Sequence, residues 1–277
     1  MSVAESLPVD SEASDLELEG GGEEEADCVV EVLPHAHHGD VDALGDGDSG
    51  APKNAAPADA KKRKLVVISF DLEVTSSNRY QGDVCQLGAR VVVANPEDDK
   101  EGLVEKGDAD SFNQTLSPKH AFWDKHASAV HGMTMETNRG KPDNVAECFK
   151  RFYEWIEQRV LHDGGSDAVC VLVAHNGMSC DFDWLYHVGR KYNVWPGDRV
   201  RYVWDTLATV KVASHPFNKE KYTGPVCEDV EYKHLYALEN LHRAMFGRGF
   251  EGAHDALADA TAGARVAAHP AFWSRRL

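Results

Sequence analysis

Asp71 and Glu73 stand two residues apart at the end of the apolar run Leu65–Phe70 (LVVISF). On a strand, residues two apart point to the same face, so the two carboxylates share one site. Carboxylates gathered at a buried strand end repel one another unless a cation lies between them. Hard divalent ions such as Mg²⁺ or Mn²⁺ favour such oxygen donors. An Asp-x-Glu triplet alone more often marks solvated surface, so other pieces must join it. Asp181 follows the turn His175-Asn176-Gly177, which closes a second apolar run, Ala168–Ala174 (AVCVLVA). Read singly, Asp181 is a first-turn or N-cap residue favoured by the helix dipole, and Asn176 a turn residue. A third piece is Gly252-Ala253-His254-Asp255, leading into the Ala-rich stretch Ala256–Ala268 with Asp259 inside it. On one continuous helix, His254 and Asp259 would point about 140° apart. His254 is therefore expected in the loop before the helix, after the permissive Gly252. Asp is a poor helix former, so Asp259 is either simply exposed or, if the other two pieces are real, better accounted for as a metal ligand.

These residues need a frame. Leu65–Phe70 reads as a central strand, and Val84–Val93 and Phe112–Leu116 as further strands. Ala94–Asp110 reads as a polar turn or hairpin loop. Pro142 is expected to open a helix to about Leu161. Its apolar positions Val145, Phe149, Phe152, Trp155, Ile156 and Val160 recur at steps of three and four, a core-facing stripe. Asp183–Tyr192 and Leu235–Phe246 read as helices, Val200–Trp204 as a strand and Ala256–Ala268 as a last helix. Strands alternating with helices predict an α/β fold with a mixed central sheet.

In order, the chain thus offers Asp-x-Glu on a first strand, Asp after an HNG turn, and His-x₄-Asp opening a last helix. This set resembles the three motifs of the DEDDh branch of the DnaQ-like, ribonuclease H-like 3′–5′ exonucleases. It is closest to the three-prime repair and polymerase III epsilon-type proofreading enzymes. Val130-His131-Gly132-Met133, Asp205-Thr206-Leu207 and Leu238-Glu239-Asn240-Leu241 are similar to further family segments, so the likeness runs from about Leu65 to Ala268. It implies that Asp71, Glu73, Asp181 and Asp259 hold two Mg²⁺ or Mn²⁺ ions, with Asp181 acting partly through water. It implies that His254 is the general base, that Leu72, Val74, Thr75 and Asn176 meet substrate, and that Asp205 is structural. Such a site activates a water and steadies the leaving 3′ oxygen, and imidazole suits the base because it titrates near neutrality. Single-stranded DNA 3′ ends are the favoured substrate. RNA trimming by the same residues, a non-catalytic nucleic-acid-binding module and a polymerase-docking subunit are the alternatives. A second copy of the chain or a polymerase is the candidate protein partner. The chain departs from the repair enzymes at Ser76-Ser77, where those carry Gly-Leu, and at Cys180, where they often carry Tyr.

Composition bounds the rest. The chain has 277 residues and a net charge of −17, which excludes a basic nucleic-acid-coating protein. Residues 1–60 hold 16 carboxylates and only Lys53 as a base, with no Phe, Tyr or Trp. Residues 1–62 are thus expected to be a disordered acidic tail and 63–277 the exonuclease domain. Within the tail, His35, His37 and His38 read as solvated. Lys61-Lys62-Arg63-Lys64 is a short basic run, a nuclear signal or a gatekeeper before the first strand. The absence of a signal sequence or long apolar run, together with six scattered cysteines, predicts an intracellular protein, cytoplasmic or nuclear, without a membrane span or disulfides. Two further stretches could track a nucleic-acid strand: Lys219, Lys221, Tyr222 and Lys233, and the group Arg190, Lys191, Arg199 and Arg201. Trp123 is expected in the core.

Overall fold

The computed structural model describes residues 29–31, 63–94, 103–105, 110–214 and 234–269, together with Asp229 and Glu231. The His35, His37 and His38 group, Lys61, Lys62, Lys219, Lys221, Tyr222 and Lys233 lie outside the described residues, as does most of the expected tail.

Strand β2 (Leu65–Val74) is longer than its apolar run because it continues through Asp71 and Glu73. It pairs antiparallel with β3 (Val84–Ala94) and parallel with β6 (Val169–Ala174), which in turn runs parallel to β7 (Val200–Asp205). β5 (Ser111–Thr115) and β4 (Leu103–Glu105) pair antiparallel with successive parts of β3. Parallel neighbours need crossover helices and antiparallel ones only turns, so the mixed sheet follows from where the helices fall.

β4 lies inside the stretch read as a bare loop. The sequence LVE is too short to show periodicity, but β3 offers it an open edge. Similarly, β1 (Val29–Glu31) falls within the expected tail yet adds antiparallel to the edge of β7. A three-residue strand is decided by an available sheet edge and not by the composition around it.

The alternation along β2 divides the core. Val66, Ile68, Phe70 and Leu72 face one side, packed against α2 (Val145–Gly164) and α3 (Asp181–Tyr192). Phe70, Phe149 and Phe152 are fully covered there, each worth ~1.5–3 kcal/mol of burial. α2 buries the expected stripe but begins at Val145, not Pro142. Asn144 is the better cap, its side chain accepting the Glu147 N–H, while the Pro142 carbonyl accepts from Ser117.

The opposite face carries Val67, Ser69, Asp71 and Glu73, and α6 (Ala256–Ala268) covers it. Its small residues have a purpose. A Cβ on Gly88, which pairs with Asp71, would fall inside the backbone of Ala256 and Leu257, and a Cβ on Gly263 would press on Ser69 Oγ. Glycine and alanine let the helix lie almost on the strands. α5 (Leu238–Phe246) packs behind α6 and starts three residues later than its apolar pattern suggested. Two helices escaped the sequence reading. α1 (Lys125–His131) buries none of its residues, and α4 (Thr206–Ser214) begins inside the DTL segment. Cys85, Cys148, Cys170 and Cys180 are free thiols. No helix among the described residues is long and apolar enough to cross a membrane.

Candidate active site

The site forms at the carboxyl end of β2. Asp71 and Glu73 emerge on the α6 face, and a register shift after Glu73 turns the strand away. Leu72 lies on the other face, 5 % exposed in the core, so its side chain cannot meet substrate. Its amide has a different use: the Leu72 N–H donates to Asp181 Oδ1 at 3.0 Å. That bond, between residues 109 positions apart, fastens the start of α3 to β2.

Asp181 reaches that position through the HNG turn. Asn176 is left-handed (φ 64°), and a Cβ on Gly177 would strike Ala174 and the Phe182 ring. Asp205 holds the turn in place. Its carboxylate accepts from the backbone N–H groups of Asn176, Met178, Leu207 and Ala208 at 2.9–3.1 Å. Asp205 thus links the turn to the first turn of α4, the structural role expected of it. His175 is buried between Thr206 Oγ1 (2.9 Å) and the Tyr236 carbonyl (2.8 Å), and burial drives its pKa down to about 4. It is a neutral strut in the fold.

His254 sits in the loop before α6 in a left-handed conformation (φ 68°), after Gly252 (φ 78°). Asp255 is the N-cap, accepting from Leu257 and Ala258. The His254 N–H donates to Asp259 Oδ2 at 3.0 Å, so the loop folds back on the helix and brings imidazole and carboxylate to one side. Glu73, His254 and Asp259 each offer a ligand atom, all within 4.8 Å of one another.

Electrostatics ties Asp71 and Asp181 to this group. Desolvation first, then the Asp181, Glu73 and Asp259 charges, hold the Asp71 carboxyl well above the usual range. Burial, with Asp259 and Asp181 nearby, pushes Glu73 to about 8. Desolvation raises Asp181 to about 7 against the pull of the Leu72 N–H, and Asp259 to about 6 against that of the His254 N–H. Asp259 Oδ1 is buried without a hydrogen-bond partner. Four crowded carboxylates that resist ionising, one with an orphaned oxygen, are a donor set that fits divalent cations.

Thr75 is fully buried, its hydroxyl accepting the Asp83 N–H and its carbonyl the Asp124 N–H. The Val74 carbonyl meets His131 Nε2 at 3.1 Å. These residues brace the strand end. Asn176, a turn residue by backbone, has an exposed side chain that makes no cap hydrogen bond. In the basic group of α3 and the approach to β7, Arg190 and Arg201 are exposed, whereas two members are engaged. Lys191 pairs with Asp83, and Arg199 pairs with Glu157 and the carbonyls of Ser166 and Ala168. Trp123 is only partly buried.

The sequence reading missed Gln86. Paired with Glu73 across the sheet, its Oε1 accepts the Ala256 N–H and its Nε2 donates to Asp255 Oδ2 (2.8 Å). It clamps the start of α6 to β3. Its position two residues before Gly88, on the face of Asp71 and Glu73, was the available signal.

The chain matches the RNase T family model, described as exonuclease, over residues 68–267. No curated protein matches it by sequence. Among solved structures it is similar to Escherichia coli exonuclease I. The zinc-bound form in complex with single-stranded DNA gives a TM-score of 0.53 at 17 % identity, covering 75 % of this chain and 40 % of that one. A further structure of exonuclease I gives 0.55 at 17 %, covering 77 % and 42 %. Exonuclease I from Methylocaldum szegediense gives 0.51 at 18 %, covering 73 % and 39 %. The chain spans about two fifths of the length of these neighbours, and the likeness is one of fold, the α/β ribonuclease H-like arrangement.

Proposed function

The chain belongs to the RNase T exonuclease family, a group of nucleic-acid hydrolases, and on that premise we propose that it is a DEDDh-type 3′–5′ exonuclease of single-stranded DNA. The convergence of Glu73, His254 and Asp259 beside Asp71 and Asp181 carries the reading. Exonuclease I has been solved in complex with single-stranded DNA, which favours DNA over RNA here. Residues 63–277 form the catalytic unit, with residues 1–62 as an acidic extension.

Asp71, Glu73, Asp181 and Asp259 would hold two divalent ions, Mg²⁺ or Mn²⁺. Such ions lower the pKa of the attacking water and neutralise charge at the leaving oxygen. The protein's own residues do the rest. The Leu72 N–H orients the Asp181 carboxylate, and the Glu73 and Asp259 carboxylates face each other across the site. His254, exposed on its left-handed loop, accepts a proton from the attacking water at a ring nitrogen. Attack at the terminal phosphodiester forms a P–O bond to that water oxygen and breaks the bond to the 3′ oxygen. A nucleoside 5′-monophosphate leaves. A second reading makes His254 a metal ligand, favoured by its place within ligand reach of Glu73 and Asp259.

The test uses 5′-labelled DNA and RNA of one sequence, with Mg²⁺, with EDTA, and with the Asp181→Ala protein. A metal-dependent ladder shortening from the 3′ end, absent in the variant and faster on DNA, is the expected result. Faster RNA cleavage would transfer the assignment to RNA trimming. No ladder with Mg²⁺ or Mn²⁺ would favour the binding-module alternative.

A further inference from the structure

A cleft of about 930 Å³ lies on the segment Ser117–Lys141 and is lined in part by α1. Four cations line it, Lys119, Lys125, Arg139 and Lys141, against a single carboxylate, Glu136. Residues 61–277 hold 28 Lys and Arg against 30 Asp and Glu, so the four-to-one excess of cations here is local. Two of the four are engaged: Lys119 with Asp143 at 2.7 Å and Arg139 with Glu136. Lys125 and Lys141 are exposed and have no ion pair or side-chain hydrogen bond among the described residues. Lys125 also occupies the first turn of α1, where the helix dipole disfavours a cation, so helix stability does not explain it. Trp123 lies in the same wall and is half-buried, its indole N–H turned into the protein, so it offers ring surface and not a donor. Cations with an aromatic among them are the components of a surface that tracks a phosphate backbone.

The cleft is coupled to the catalytic centre through two bonds. The Asp124 N–H donates to the Thr75 carbonyl at 2.7 Å, and His131 Nε2 meets the Val74 carbonyl, both just beyond Glu73. α1 therefore touches the end of β2 through His131 and lines the cleft through Lys125, Ser128 and Ala129. A helix with side chains is about 10 Å across, so the cleft lies a few nucleotides from the reacting bond.

We propose that this cleft is a second binding site, one that holds the sugar-phosphate backbone of a single-stranded polynucleotide upstream of the scissile end. The proposal rests on the exonuclease reading and adds where the rest of the substrate runs. Its anion is the polynucleotide and not an acidic peptide, because the helix that lines the cleft also touches the end of β2 beside Glu73, where the proposed substrate's end is held.

The test is the full-length Lys125→Ala/Lys141→Ala protein. Binding of a labelled strand longer than the ~4–16-nucleotide sites typical of single-strand binders is followed by anisotropy in EDTA over a salt series. Each lost phosphate contact lowers the slope of log K against log salt by ~0.7, so two predict a fall of ~1.4 and several-fold weaker binding. Hydrolysis of a dinucleotide, too short to reach the cleft, reads the catalytic centre alone. Support is a weaker, less salt-dependent complex with a raised KM on the long strand and much less change on the dinucleotide. An unchanged slope, or equal loss on both substrates, overturns the proposal. Tighter binding by the variant also overturns it, and would mean that the acidic N-terminal segment occupies the cleft. Wild-type protein that hydrolyses neither substrate would defeat the exonuclease reading, while the salt slope would still decide the cleft.

Discussion

Glu73→Gln should stabilise the metal-free protein at pH 8 and disable the metal-loaded one. The carboxyl of Glu73 is moved from an ordinary 4.5 to about 8 by burial and then by the Asp259, Asp181 and Asp255 charges. A folded-state value above the unfolded one means that the native state binds the extra proton in between. Stability from this group is fully present below about pH 4.5 and is lost as pH rises through about 8. At ~1.4 kcal/mol per pH unit the interval corresponds to ~5 kcal/mol at most. Relaxation and residual water around a group that is 9 % exposed reduce this, so ~2–3 kcal/mol is expected. Asp181 and Asp259, raised to about 7 and about 6, add slopes of the same sign. His175, held neutral, has the opposite sign, its contribution being lost as pH falls toward about 4. The difference between variant and wild type removes that background.

The assay is urea unfolding of both proteins at pH 5 and pH 8, in EDTA and in saturating Mg²⁺, with equal m-values as a condition. In EDTA the variant should exceed wild type by ~2–3 kcal/mol at pH 8 and by almost nothing at pH 5. Mg²⁺ should raise wild type by ~3 kcal/mol at a hundredfold excess over Kd, and the variant by much less. A variant no more stable than wild type at pH 8 in EDTA, or equally stabilised by Mg²⁺, would refute the account of Glu73 as a carboxylate held for a cation.

Other substitutions separate roles. His254→Ala should lower kcat by ~10²–10⁴ while DNA affinity changes little, and calorimetric Mg²⁺ affinity should be kept if His254 is the base and lost if it is a ligand. Asp205→Ala strands four backbone N–H groups, and should cost ~2–4 kcal/mol in urea unfolding and loosen the turn carrying Asp181. Gly88→Ala forces α6 off the sheet, so it should lose both stability and metal affinity, whereas Gly249→Ala, whose Cβ would meet only Glu239 Oε1 at 3.7 Å, should affect neither. Gln86→Ala should reduce kcat and metal affinity by freeing the start of α6 from β3, read against unchanged secondary structure by circular dichroism.

The sequence by itself determined the pieces and their order. Period-two alternation along Leu65–Val74 set Asp71 and Glu73 on one face, and angular spacing required His254 to leave the helix that carries Asp259. Such relations are local, so they are legible without the fold. The start of α2 at Asn144 and the short strands β1 and β4 were not, because a cap competes with a neighbouring proline and a strand needs an edge to pair with. The roles of Leu72 and Thr75 were also decided in three dimensions. Both sit in the first motif, yet the opposite face of the strand and the loops around it take up their groups. Only the tertiary structure showed that Gly88 and Gln86 make room for α6 and pin it, and that Lys125 and Lys141 share a cleft. Arg199 and Lys191 looked equally basic in the sequence, but nearby carboxylates neutralise them. Charge is read from composition, whereas its availability depends on partners that sequence separation hides.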